Sequence, residues 1–565
     1  MAQVADLRHA PYRVKRNTVG LFLSFCSFLN LVSMPMKAYI SEYLPWTAPP
    51  LLNTSYANYS DFNTRSLAHN RLVYTATTLP MHAAYHYDRT NDVQVLRTTI
   101  PYPYPKDIPQ SRCLSEMLLG MPGLIYYTEP EMAVVCALAS PGNATIADLT
   151  ANGSCFYDKV ATITFGTSCL WLTLGDALHG TNASDVVTLT YTYAATRFEV
   201  FLWLKFGYRL LLTLFVLWRM WFCYYRHCFA LEAAVRSRGH AFVRRDASAW
   251  RYEVVLGDPT ALILVDPKVA LAFLADIWLS TSNVGVSILR ASQNGDLDVL
   301  YVNVLYLSRT VWFAYCALCV TAYWLKRSHK EHLFAEVDPT LVAVAVTIYG
   351  PIFSWVSGNV AFMTRMYHWL FLLAVPPAVR GQENEMAIGC ALYTLVIACL
   401  PLIYGFGAPR YRHWLRRDPS VLPRDFTSHH YNNLKNRLML SCFCQHHVDA
   451  AMVARGGRVY KLFEANAAYQ ASPTISLRGS DVFLLCYHDD VLEEKIRLSL
   501  LAVLDEMADS SAVSVVEAPT PSGYIANELV LPTKVTFPTP LGSVTAALSR
   551  HCEIRRPVVP SVWCM

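Results

Sequence analysis

Residues 198–222 read FEVFLWLKFGYRLLLTLFVLWRMWF, and this run decides how the rest of the chain is read. A helix needs about 20 mostly apolar residues to cross the hydrocarbon layer of a bilayer, and the run supplies them. Arg226, Arg236, Arg238, Arg244 and Arg245 follow it, the basic flank expected on a cytoplasmic side. Ahead of it lie the N-glycosylation sequons at Asn53, Asn58, Asn143, Asn152 and Asn182, and no sequon occurs elsewhere. A cluster of acceptor sites belongs on the luminal or extracellular face. The run at 198–222 therefore carries the chain from outside to inside.

Composition agrees. The chain has 565 residues, 53% hydrophobic and 16% charged, where soluble domains carry about 25% charged residues. The charge deficit sits in a few long apolar runs, and the net charge of +5 reflects basic residues beside those runs. That placement suits membrane flanks, and no zinc-finger spacing or basic stripe with interleaved aromatics suggests nucleic acid. The lipid bilayer is the expected partner.

Working outward, residues 1–18 form a basic cytosolic N-terminus containing Arg8, Arg13, Lys15 and Arg16. Residues 19–40 follow as a first span. It reads as an uncleaved anchor rather than a cleaved signal peptide, because no small-x-small cleavage site follows it. After the 198–222 span and a cytosolic loop at 223–259, the clearest runs are 299–325 and 386–408. Lys326, Arg327 and Lys330 follow the first; Arg410, Arg412, Arg416 and Arg417 follow the second. Both runs exit inward, so each needs an inward-to-outward crossing before it. Residues 340–358 supply one, with a kink expected at Pro351. Residues 260–288 must supply the other against their own hydropathy, since Asp266, Pro267, Lys268 and Asp276 interrupt them. Residues 362–379 contain Arg365 and His368 and read as a re-entrant or interfacial segment. The expected fold is a polytopic α-helical membrane protein with about six transmembrane helices and both termini inside. It carries a β-rich extracytoplasmic domain at 41–196 and a small cytosolic α/β domain within 409–565.

In the outer domain, Leu72–Thr77, Val93–Thr99, Thr162–Phe165 and Val186–Tyr193 are rich in Val, Ile, Thr and Tyr and are expected as strands. Cys113, Cys136, Cys155 and Cys169 are expected to form two disulfides in an oxidising compartment, with three connectivities open. In the inner region, Val482–Tyr487 reads as a strand. Asp490 then resembles an N-cap, with Glu493 at capping-box spacing before a helical pattern through Val491, Leu492, Ile496, Leu500, Leu504 and Met507. With a strand at Ala512–Val516 this suggests a βαβ unit whose strand end presents His488, Asp489 and Asp490.

Candidate chemistry is sparse. Cys442, Cys444, His446 and His447, with His429 and His430 upstream, form the densest set of potential metal ligands. They lack the second doublet that zinc sites use, so neither metal nor cofactor is expected. Cys223 and Cys228 lie just inside the second span, where S-palmitoylation occurs. Ionisable residues within spans are better pointers, because a charge at the bilayer centre costs a few kcal/mol or more. Asp266, Lys268, Asp276 and Arg309 qualify, and Asp276 is expected to pair with Arg309. Lys205 and Arg209 are expected to snorkel toward a membrane face. No P-loop, H-E-x-x-H, G-x-S-x-G or dinucleotide fingerprint occurs. The expectation is a non-enzymatic, receptor- or sensor-like protein, more at home in the plasma membrane than in endomembranes. Its outer domain would bind an extracellular ligand or protein and its inner domain a cytosolic partner. The alternative is a transporter or channel using the polar residues of the third and fourth spans.

Overall fold

In the computed structural model, the described residues are 13–48, 55–238 and 250–415 with short breaks, 482–500, and the short strands 514–515, 534–539, 542–547, 554–555 and 563–564. The chain opens with β1 (Arg13–Arg16) and α1 (Thr18–Ser33). The Asn17 side chain caps α1 by accepting from the Gly20 amide at 2.8 Å. The expected span at 19–40 is not one helix. Pro35 has no amide to continue the ladder, so α1 stops and a 3-10 turn covers Met36–Ile40.

Next come α2 (Tyr59–Val73), β2 (Tyr85–Asp88), β3 (Val93–Pro101), α3 (Gln110–Glu116), α4 (Glu129–Cys136), α5 (Ile146–Ala151), β4 (Gly153–Val160), β5 (Ile163–Leu174) and β6 (Val186–Ala195). The strand expected at Leu72–Thr77 is instead the last turn of α2 and the turn after it. Its β-branched residues serve a threonine-rich turn, in which the Thr78 hydroxyl donates to the Val73 carbonyl at 2.6 Å. The expected strands at Val93–Thr99 and Val186–Tyr193 fall within β3 and β6, and that at Thr162–Phe165 meets the start of β5, with Thr162 outside the described residues.

The helical part follows as α6 (Glu199–Met220), a π turn at Trp221–Tyr225, α7 (Arg226–Arg238), β7 (Trp250–Val255), α8 (Thr260–Leu264), α9 (Pro267–Trp278), α10 (Thr281–Ala291), α11 (Leu297–Leu307), a 3-10 turn at Ser308–Thr310, α12 (Val311–Ser328), α13 (Pro339–Asn359) and α14 (Ala361–Ala374). β8 (Glu383–Glu385) leads directly into α15 (Met386–Leu415). Among the described residues, four stretches are long and apolar enough to cross a membrane: Glu199–Ala233, Leu297–Thr321, Leu341–Asn359 and Met386–Ala408. The segment at 260–288 is broken: α9 and α10 meet at 74°, and the pair counts as one candidate crossing or as a re-entrant turn. Large apolar side chains on these helices are exposed, among them Leu211, Leu214, Ile348, Trp355 and Ile403. Such a surface suits lipid rather than water, and the chain reads as a membrane protein.

Two sheets flank the helices. The larger has the order β2-β3-β6-β5-β4-β8 and is antiparallel except for the β4–β8 edge. Successive residues point to opposite faces, and both faces of its centre are covered. Val93, Val95 and Trp171 pack with Phe62 of α2, whereas Leu96, Leu170, Leu189 and Tyr191 belong to a core that continues among the helices to Trp312 and Ile397. Gly285 marks a tight crossing in that core: Tyr126 donates to its carbonyl at 2.8 Å, and a side chain there would meet Met386.

The second sheet has the order β1-β7-β9-β10-β15, where β9 is Val482–His488, β10 is Val491–Leu500 and β15 is Trp563–Cys564. It joins the N-terminal basic segment, the 223–259 loop and the C-terminal region. α6 starts beside the first sheet and runs toward the second, where Glu232 of α7 pairs with Arg16 of β1 at 2.7 Å. The two sheets therefore meet the two ends of the helical stretch Glu199–Ala233.

The expected helix after Asp490 is a strand, and the βαβ reading is corrected to a hairpin. Asp489 and Asp490 have φ of +49° and +63°, the two left-handed positions of a tight hairpin turn, which Asp tolerates. Leu492, Ile496, Leu498 and Leu500 also fit a period of two, and a run this short satisfies both templates. The expected Ala512–Val516 strand coincides with β11 (Ser514–Val515), which pairs with β14 (Ile554–Arg555), apart from β9.

Candidate functional site

Immediately after the Met36–Ile40 turn, Glu42 enters the interior. Its Oε1 accepts from Arg209 Nη2 at 2.9 Å, from the Tyr306 hydroxyl at 2.5 Å and from Arg309 Nη1 at 3.4 Å. Its Oε2 accepts from Lys205 Nζ at 3.0 Å. Asp276, in the last turn of α9, accepts from Arg209 Nε at 2.7 Å and pairs with Arg309 through its other oxygen. Arg209 Nη2 also donates to the Ser280 hydroxyl at 2.7 Å, and the guanidinium lies 4.7 Å above the Tyr39 ring. No side chain of the five ions is more than 9% exposed.

Such a cluster forms because of where the chain places its members. Lys205 and Arg209 are four residues apart on α6 and so share a face. That face is the buried stripe Leu202, Lys205, Arg209, Leu212, Val216 and Met220. The expected snorkelling of Lys205 and Arg209 is thereby corrected: both point into the protein, where carboxylates offset a desolvation cost of several kcal/mol per ion. Burial alone would push the Glu42 carboxyl up; Arg209, then Lys205 and Arg309, outweigh burial and hold it well below the usual range. The cluster also sits at two helix breaks. Ser280 lies in the bend between α9 and α10, and Arg309 in the 3-10 turn between α11 and α12.

The expected Asp276–Arg309 pair is present, but Asp266 and Lys268 are not part of it. Asp266 caps α9 by accepting from the Lys268 amide at 2.9 Å and pairs with Arg219, while the Lys268 side chain is exposed. Glu42 was missed because it stands just beyond an apolar run, where one acidic residue looks like a flank.

Above the cluster, a cavity of about 50 Å³ separates α10 and the start of α6 from the larger sheet. Glu42 and Lys205 line it from the cluster side, Asp92 and Tyr193 from the sheet side, and Arg290 from the end of α10. Arg290 donates to Gln94 of β3 at 3.1 Å and to Ser41 at 3.3 Å.

Elsewhere in the sheet domain, Asp158 and Glu131 are buried with no cation among their partners in the described residues. Asp158 of β4 accepts from Asn384 of β8 at 3.0 Å and from Ser168 at 3.3 Å, and burial pushes its pKa up to about 7. Glu131 accepts from the Thr128 amide at 2.7 Å, and burial, reinforced by Asp158, raises it well above the usual range.

The four cysteines stand as two pairs at disulfide distance, Cys113–Cys136 with Cα atoms 5.9 Å apart and Cys155–Cys169 at 4.0 Å. Of the sequons, Asn58 and Asn152 are exposed. Asn53, Asn143 and Asn182 lie outside the described residues, as do His429, His430, Cys442, Cys444, His446 and His447. Among the described residues no group of three metal-ligating side chains assembles. Asp489 and Asp490 are the exposed tip of the hairpin, where Asp490 pairs with Arg251 at 3.1 Å. Cys223 is half-buried and Cys228 buried.

In comparisons with known proteins, no family model matches this chain, and neither a curated protein nor a solved structure matches it.

Proposed function

We propose that this chain is a non-enzymatic, glycosylated, multi-pass protein of the plasma membrane with a receptor- or sensor-like role. Its outer domain at 41–196 binds an extracellular ligand or protein, and its region at 409–565 meets a cytosolic partner. The threading that fits has six crossings: α1, α6, the bent α9–α10 pair, α11 with α12, α13, and α15. The two sheets support this count. β1, β7 and β9 share one sheet at one end, while β2 to β6 and β8 share the other, so each passage between them needs an odd number of crossings.

The observation that carries the receptor reading is the closure of the charge cluster. Glu42 and Asp276 saturate Lys205, Arg209 and Arg309 with side chains at most 9% exposed, which ties the outer domain to the helices and leaves little room for a solvated path there. The test is a Ser280→Cys variant in intact cells, treated with a membrane-impermeant maleimide and compared with the parent chain. No added labelling is expected; rapid labelling from outside would overturn the closed, receptor-like arrangement.

A transporter is the second reading, favoured by the helix breaks at Ser280 and Arg309. Broken helices that meet at the bilayer midplane are where transporters bind their substrates. An Asp276→Asn variant that reached the surface normally but altered solute uptake would favour it.

A further inference from the structure

The charges around the cavity do not cancel. Lys205, Arg209, Arg290 and Arg309 bring four positive charges to the cavity wall and the adjoining cluster, and Glu42, Asp92 and Asp276 bring three negative ones. Glu42 is already shared among Lys205, Arg209, Arg309 and the Tyr306 hydroxyl. Among the described residues Arg290 has no carboxylate partner. Its bonds go to the neutral Gln94 and Ser41 oxygens through Nε and Nη1, and its guanidinium lies 4.9 Å above the Tyr87 ring. Nη2 makes no hydrogen bond among the described residues. A half-buried guanidinium on a cavity wall with no carboxylate partner favours an anion held beside it.

The rest of the cavity narrows the kind of anion. A guanidinium fork matches a planar oxyanion better than a spherical ion. Phe165, Phe198, Phe201 and Val286 supply an apolar side to the same space. A volume of about 50 Å³ is that of a few water molecules, each needing roughly 10–15 Å³ on this measure. That is room for a handful of heavy atoms. The cavity also lies where the sheet meets the helices, and ligand pockets favour such interfaces.

We propose that this cavity binds a small monocarboxylate, its carboxylate on Arg290 and its short apolar part against Phe198 and Phe201. The site would be the ligand seat of the receptor reading and rests on that reading for its use. Occupancy is measured on the purified chain by itself, so its failure and that of the receptor reading are seen separately.

The experiment uses the full chain in detergent, titrated with sodium acetate, propionate and butyrate, and with sodium chloride at matched ionic strength. Thermal unfolding and titration calorimetry are the readouts. At least one carboxylate is expected to bind saturably and raise the unfolding temperature beyond chloride. Arg290→Gln should weaken that binding at least tenfold, and Arg65→Gln, at an exposed pair with Asp61, should leave it unchanged. Ala195→Leu keeps every charge and fills the cavity, so it should abolish binding. If Arg290→Gln does not give folded protein, Ala195→Leu decides. The proposal is overturned if no carboxylate binds, if chloride reproduces the full response, or if Ala195→Leu binds as well as the parent chain.

Discussion

Arg209 and Asp276 meet at 2.7 Å where solvent reaches neither side chain. The pair is held on both sides, because Arg309 shares Asp276 and Glu42 shares Arg209. Removing one member of such a set strands the others. Asp276→Ala is expected to destabilise the chain by about 3–5 kcal/mol, the usual cost of breaking a buried pair. Arg209→Met combined with Asp276→Leu should cost less than the sum of the two single changes, because Glu42 still pairs with Lys205 and Arg309. Thermal unfolding in detergent, with the fraction reaching the cell surface, measures both.

A second expectation concerns pH. Asp158 has a folded pKa of about 7, above the ordinary 3.8. Between those values the native state holds a proton that the unfolded chain has lost. Stability from this group is therefore full below about pH 4 and declines as pH rises toward 7. Glu131 is displaced in the same direction and adds a decline of the same sign. Asp158→Asn should flatten the slope, with an effect at neutral pH of up to about 4 kcal/mol. Unfolding of the larger-sheet region followed from pH 4 to 8 checks this. An unchanged slope would show that Asp158 is ionised in the folded state.

The cysteine pairs predict a specific map. Non-reducing digestion should recover Cys113 linked to Cys136 and Cys155 linked to Cys169. Loops of 23 and 14 residues correspond to roughly 3 kcal/mol each in the chain-entropy account. Cys113→Ser and Cys155→Ser should each lower the unfolding temperature under oxidising conditions and have no effect once the parent is reduced.

Asn58 has two roles that can be separated. Its side chain caps α2 by accepting from the Asp61 amide at 2.9 Å, and it opens the sequon Asn58-Tyr59-Ser60. Ser60→Ala removes the sequon and keeps the cap; Asn58→Gln removes the sequon and weakens the cap, by about 1 kcal/mol. Both should shift mobility like loss of one glycan, but only Asn58→Gln should lower stability after glycosidase treatment. No mobility shift in either variant would mean that Asn58 is unmodified.

The membrane class was legible because apolar runs and their basic flanks are long-range averages that tolerate local error. The strands at β3, β5 and β6 were legible for the same reason, as runs of β-branched and aromatic residues. The helix expected after Asp490 was not, because a ten-residue run with apolar residues two and four apart satisfies both periods. Only the left-handed backbone of Asp489 and Asp490 decides it. The charge cluster was half legible. Asp276 and Arg309 announced themselves inside apolar runs, yet Lys205 and Arg209 were read one residue at a time. Their placement on the Leu202–Met220 stripe shows that they face inward. Glu42 has no local sign at all, since its partners stand 163 to 267 residues away.

The edge strand β8 runs parallel to β4, with Tyr157 donating to the Gln382 carbonyl at 3.1 Å, Lys159 meeting Glu383 at 2.5 Å, and Asn384 donating to Asp158. During synthesis this means that the larger sheet is left one strand short until the ribosome has made more than two hundred further residues. A chain halted before β8 would expose a bare β4 edge and leave Asp158 with the Ser168 hydroxyl but without the Asn384 amide. The sheet is thus closed only when the chain reaches the start of α15, and a shorter chain carries an open strand edge.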